Sequence, residues 1–275
     1  MDYRTLPHGG ESISVIGLGT SSIQASSEKE IQETIEEAAA RGINYFDMAS
    51  AEAKPFAAYG RALSGIREQV YFQIHFGADY HTGTYGWTTD LDTVKKSVDW
   101  QLQMQQTDYI DFGFLHCIDE ESDLRAVERA GILSYIEELK QQGVVRHIGL
   151  SSHTPKLAEE VLDKGILDMI MFSINPAYDY RKGDYGIGNV EERMKLYRRC
   201  EKEGVGISVM TAFGGGQLLD RILKFFDAAP EEKDYSVIGT FAPQDAEGIC
   251  VYCNHRCPFH VDQMARMKEI EEYFQ

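Results

Sequence analysis

Three polar residues stand at the ends of three short apolar runs. Asn44-Tyr45-Phe46 leads into Asp47, Val70 to Ile74 into His75, and Ile110 to Leu115 into His116. A carboxylate and two imidazoles can orient a polar substrate and pass a proton, because imidazole titrates near neutrality. The same donors suit Fe(II) or Zn(II) and leave positions open for substrate. Glu52, shortly after Asp47, is a further base or ligand, or a solvated loop carboxylate. All of this requires the residues to converge. A barrel of parallel strands achieves that, since the C-terminal strand ends form one face on which distant segments meet.

The rest of the chain carries the pattern such a barrel needs. Strand-like runs at Ile13 to Ile16, Tyr45 to Asp47, Val70 to His75, Ile110 to His116, Val144 to Leu150, Leu167 to Ser173 and Val205 to Met210 alternate with helical patterns. This alternation predicts βα units and a parallel sheet. Ser27 to Glu30 reads as a capping box, and Asp90 and Thr154-Pro155 open further helices. Residues 4–18 suggest a hairpin and then a strand. Residues 77–90, with Tyr80, His81, Tyr85 and Trp87, read as a long loop leaving a strand end, where barrels keep active-site loops. After Met210 no clear eighth unit follows; Tyr235 to Ile238 is the one candidate strand, and Val261 to Phe274 reads as an amphipathic helix. The expected fold is α/β: an incomplete TIM-type parallel (β/α) barrel of about seven units over residues 1–228, with a cysteine-containing helical tail over 229–275.

A length of 275 residues, 43% hydrophobic and 26% charged, suits one such barrel plus a tail. The net charge of −17 argues against nucleic acid and membrane surfaces as partners, because both are anionic. No apolar run approaches the roughly 20 residues that span a bilayer. Met1-Asp2-Tyr3-Arg4 lacks the layout of a signal peptide, so a cytoplasmic location is expected. Cys250, Cys253 and Cys257 are clustered, which in a reducing compartment points to metal before disulfide. Their spacing suits an iron–sulfur cluster whose remaining iron takes water, His255 or His260. With His260 the three would make a zinc site, and a decayed motif would bind nothing.

Four segments together resemble the aldo/keto reductase family. They are Ile16-Gly17-Leu18-Gly19-Thr20, Tyr45-Phe46-Asp47-Met48-Ala49, Asp108-Tyr109-Ile110-Asp111 through Leu115-His116, and Gly143 through Ser151. They fall in the family's order and cover roughly residues 4–216. The chain looks most like the branch with a ferredoxin-type (4Fe-4S) cysteine motif after the barrel, and Cys250-Val251-Tyr252-Cys253 resembles the start of one.

The resemblance implies an oxidoreductase that uses NADPH to reduce a small carbonyl substrate through an Asp, Tyr, Lys and His tetrad. Asp47 and His116 match the Asp and the His. Glu52 stands where the Tyr belongs and His75 where the Lys belongs, while Tyr59 falls in a helix. The last barrel unit, which helps hold the 2′-phosphate end of NADPH, is missing, and three cysteines stand for four. The resemblance puts Gly19 and Thr20 on the cofactor side and Ser151, Ser152 and Asn175 at the nicotinamide carboxamide. On this reading His116 orients the carbonyl, His75 donates the proton and Asp47 positions His75. Electrons passing through the cluster would call for an electron-transfer partner. Two other readings stand beside it: a metal-dependent hydrolase or lyase using Asp47, His75 and His116, and a catalytically inactive remnant.

Overall fold

The computed structural model describes residues 1–174 and 190–212. Asn175, the cysteine trio, the boundary at 228/229 and the segments Tyr235 to Ile238 and Val261 to Phe274 lie outside the described residues. Two compact units are present. Met1–Ser152, Lys156–Met171 and Glu201–Ile207 form the first, and the remaining described residues belong to the second.

The chain opens with an antiparallel hairpin, β1 (Tyr3–Thr5) and β2 (Ser12–Ser14). The predicted first strand divides here. Asn44 takes Ser12 and Ser14 into the hairpin, its Oδ1 accepting from Ser14 N at 2.8 Å and its Nδ2 donating to Ser12 O at 2.9 Å. The sheet is entered later, by β3 (Leu18–Gly19). Then follow α1 (Glu28–Ala40), β4 (Tyr45–Asp47), α2 (Lys54–Leu63) and β5 (Tyr71–Phe76). The capping box of α1 is formed: Ser27 accepts from Glu30 N, and Glu30 accepts from Ser27 N. Buried Ile31 and Ile35, one helical turn apart, face the core.

The segment read as a loop over 77–90 contains a short hairpin, β6 (Ala78–Asp79) and β7 (Gly86–Trp87). Asp90 caps α3 (Leu91–Met104) by accepting from Thr93 N. After β8 (Ile110–Leu115) come α4 (Glu121–Ala130), which the sequence pattern did not reveal, and α5 (Ile132–Gln141). Gly131, at φ +76°, makes the break between these two helices, a conformation that favours glycine. Then follow β9 (Val145–Ser151), α6 (Pro155–Leu162), β10 (Met169–Ser173), α7 (Val190–Glu203) and β11 (Gly206–Met210).

Seven strands make one sheet in the order β11-β10-β9-β8-β5-β4-β3. The pairs from β3 to β10 are parallel, and helices intervene along the chain. This is the α/β architecture of an incomplete (β/α) barrel. Among the described residues the sheet ends at β3 on one side and β11 on the other. Aromatic rings fill the places left by glycines on neighbouring strands. A Cβ at Gly149 would overlap the ring of Phe114, its register partner.

Buried ion pairs fix the other end of the strands. Asp111 accepts from Arg67 Nη2 at 2.8 Å, from Phe72 N at 2.9 Å and from Arg146 Nη1 at 3.0 Å. The Arg67 guanidinium lies between the rings of Phe72 and Tyr109, at 4.2 and 4.0 Å. Asp168 accepts from Lys140 Nζ at 2.6 Å and from Ile148 N at 2.9 Å, with His147 Nδ1 at 3.5 Å. Burial pushes the Asp168 carboxyl up, but hydrogen bonds from His147, Lys140 and Ile148 outweigh it and hold the group well below the usual carboxylate range.

Candidate active site

The parallel register sets the site. Gly19 pairs with Asp47, Asp47 with Gln73, and His75 with Phe114. Side chains alternate along a strand, so Gln73 and His75 share one face. Asp47 closes β4, His75 lies one residue from the end of β5, and His116 follows β8 directly. All lie in the first unit.

The three side chains meet. His75 Nε2 is 2.7 Å from Asp47 Oδ1, and His75 Nδ1 is 3.0 Å from His116 Nδ1. Gln73 Nε2 donates to Asp47 Oδ1 at 3.0 Å, while Gln73 Oε1 accepts from the Tyr45 hydroxyl. An ionised carboxylate only accepts, so His75 carries its proton on Nε2. The two faces of the His75 ring are thus committed to different neighbours. Asp47, His75 and His116 form a line of hydrogen bonds and do not aim one atom each at a common point. That geometry gives no support to a three-ligand metal site.

Tyr85 extends the line. Its hydroxyl lies 2.9 Å from His116 Nε2, and its ring meets the His116 ring edge to face at 5.5 Å. The β6–β7 hairpin carries it there. Gly77, at φ +104°, turns the chain out of β5. Backbone bonds from Tyr85 N to Ala51 O at 2.9 Å and from Ala53 N to Gly83 O at 3.0 Å then pin the hairpin to the segment after Asp47. Trp87 Nε1 donates to His116 O at 3.3 Å. Sequence reasoning missed Gln73 and Tyr85. The spacing of Gln73 two residues before His75 was a usable signal. Tyr85 had only its place in an aromatic loop.

Exposure rises outward from His75, while the Asp47 side chain at the other end is 18% exposed. His75 is 2% exposed, His116 is 7% and Tyr85 is 41%. Burial, with the nearby Cys117 and Asp119, pushes the Tyr85 hydroxyl up to about 12, so it stays protonated at neutral pH. Cys117, with Sγ 3.5 Å from His116 Nε2, is likewise pushed up to about 12 by burial and Asp119.

The other candidates are placed as follows. The Glu52 side chain is 46% exposed and pairs with Lys54 Nζ at 3.6 Å. The buried Tyr59 hydroxyl lies 3.0 Å from Thr20 Oγ1, which donates to Asp47 O at 2.6 Å. Gly19 lies on the same face as Asp47, and a Cβ there would meet nothing within 4 Å. Ser151 and Ser152 are buried at the end of β9, with Ser152 Oγ donating to Ile118 O at 2.6 Å.

The aldo/keto reductase family matches residues 15–272, most of the chain. The chain belongs to the aldo/keto reductase family. An uncharacterized oxidoreductase, YqkF of Bacillus subtilis, is 30% identical over 179 residues, which are 64% of this chain and 56% of YqkF; the chain thus spans little more than half of that relative's length. L-galactose dehydrogenase of Arabidopsis thaliana is 27% identical over 252 residues, 86% of this chain and 73% of that enzyme. The holo form of aldo-keto reductase AKR11C1 from Bacillus halodurans superposes with a TM-score of 0.65 at 25% identity, covering 85% of this chain and 78% of that one. Aldo/keto reductases are oxidoreductases that act on small carbonyl compounds and normally bind NADPH or NADH. Among the described residues, no helix of this chain is long and apolar enough to cross a membrane.

Proposed function

We propose that this aldo/keto reductase reduces a small carbonyl compound with NADPH, and that Asp47, His75 and His116 serve the proton side of the reaction. The observation that carries this reading is the continuous line of hydrogen bonds joining the three at the C-terminal strand ends. When bound, the nicotinamide supplies hydride to the carbonyl carbon. The residues present fit its ring, because Gly19 leaves open floor beside Asp47 on the same face. Thr20, Ser151, Ser152 and Asn175 are the polar groups that would hold the ring and its carboxamide.

The protein's own part is to receive the carbonyl oxygen and protonate it. His75 is buried with both ring nitrogens engaged, so it acts through His116 and not on substrate directly. Asp47 fixes the orientation and tautomer of His75. Gln73 in turn steadies the carboxylate. Glu52, paired with Lys54, has no role in this line.

Cys250, Cys253 and Cys257 are proposed as iron–sulfur ligands on their spacing alone, with zinc as the alternative and an electron-transfer partner implied if a cluster is present. NADPH titration should give a saturable fluorescence change. His116→Ala should lower carbonyl reduction on the order of 100-fold while leaving that change in place, the usual size of a lost proton-transfer group. A protein that shows no nicotinamide binding would remove the proposal.

A further inference from the structure

We infer that Tyr85, delivered by the β6–β7 hairpin, is the catalytic residue that hands the proton to substrate. This rests on the reductase reading above. A group that touches substrate must be reachable, and along the line from Asp47 outward the only broadly exposed member is Tyr85. Its hydroxyl is the next atom after His116 Nε2, at 2.9 Å. By the family resemblance Glu52 stands at the tyrosine position; its carboxylate faces Lys54, and on our reading the phenol comes from a different segment of the chain. The hairpin is held by main-chain bonds to Ala51 and Ala53, which position Tyr85 before any substrate arrives.

The line has two directions, and proton count selects between them. With both imidazoles neutral, His75 Nε2–H donates to Asp47, His116 Nδ1–H donates to His75, and Tyr85 O–H donates to His116 Nε2. With one further proton held by His75, the last two bonds reverse. His75 Nδ1–H donates to His116, His116 Nε2–H donates to the Tyr85 oxygen, and the Tyr85 hydroxyl is released toward a substrate. A carbonyl carbon that gains hydride from reduced nicotinamide pushes the C=O electron pair onto oxygen. That oxygen takes the Tyr85 proton. The phenolate takes the His116 Nε2 proton, and His116 Nδ1 takes the His75 Nδ1 proton. One hydride and one proton are consumed, and the line is left in its neutral direction. The groups facing it are Asp47 from β4, Gln73 from β5, and Cys117 and Asp119 from the segment after β8. Alcohol oxidation would run the same transfers backward.

The test compares full-length wild type with Tyr85→Phe by NADPH titration, by NADPH-dependent reduction of 4-nitrobenzaldehyde and other small aldehydes, and by 15N NMR of the histidine rings. Tyr85 is at the surface, so the variant should melt with the wild type. Tyr85→Phe is expected to bind NADPH as wild type does, to lose on the order of 100-fold in kcat with little change in KM, and to shift the His116 Nε2 resonance. Wild-type kcat in the variant would overturn this inference alone, as would an unmoved His116 Nε2 resonance. A wild-type protein that neither binds NADPH nor reduces any aldehyde would overturn the reductase reading and this inference with it.

Discussion

Replacing Asp111 with alanine tests what holds β5 and β8 together at the end remote from the candidate site. Both oxygens of this buried carboxylate are used, on Arg67, Arg146 and the Phe72 amide. Arg67 is also buried. Without Asp111 its donors keep Val70 O, Tyr109 O and Thr107 Oγ1, but its charge loses its counterion. Removing one partner of a buried pair costs roughly 3–5 kcal/mol. The Arg146 contact adds at most about 1 kcal/mol, because that side chain is half exposed. For a chain of this size the sum corresponds to a fall in Tm on the order of 10 °C. Urea and thermal melts followed by circular dichroism read it directly. Asp111→Asn keeps an acceptor for Phe72 N and should lose about half as much. Arg67→Met combined with Asp111→Leu removes both charges and should recover a large part of the loss. An alanine variant within about 1 kcal/mol of wild type would show that the pair does not brace the sheet.

Other expectations concern packing, pH and metal. Gly149→Ala should cost about 1–3 kcal/mol in urea melts, because the new methyl overlaps the Phe114 ring; Phe114 also meets His75 edge to face at 6.0 Å, so the histidine resonances should move with it. Asp168 has a lowered carboxyl in the folded state, so its stabilisation is present above the unfolded carboxylate range and fades as pH falls through the folded value. Asp168→Asn should therefore lose on the order of 2 kcal/mol at pH 7 and progressively less in strong acid, which melts across that range would check. Anaerobically purified protein should show a broad visible band that bleaches on reduction if the cysteine trio holds iron–sulfur; a colourless sample containing zinc would favour the alternative.

The meeting of Asp47, His75 and His116 was legible because a parallel sheet forces its strand ends onto one face, and each apolar run marked where a strand stops. The α1 capping box and the Asp90 cap were legible because those signals are local. Tyr85 was not, since its position depends on main-chain bonds between two loops, which leave no mark on side-chain type. The first strand was misplaced for a related reason. The exposed Val15 and Ile16 prolong an apolar run beyond the hairpin, while the amide of Asn44, some thirty residues on, decides where the hairpin ends. The helix α4 is mostly polar, with Leu124 and Val127 as its two buried residues, and it opens at Glu120 without the Ser, Thr, Asp or Asn that marks a helix start.

The backbone clamp between residues 51–53 and 83–85 has a consequence for how this scaffold could be altered. Because amides and carbonyls make the join, the side chains of Ala51 and Ala53 can be exchanged for others without uncoupling the two loops, whereas Gly83, at φ +93°, is kept as glycine by its backbone conformation. Lengthening either loop by a single residue would instead shift the phenol relative to the imidazole beneath it. Variation in composition should thus be forgiven in this region where variation in length is not, and a library built here would do best to randomise identities and keep the spacing fixed.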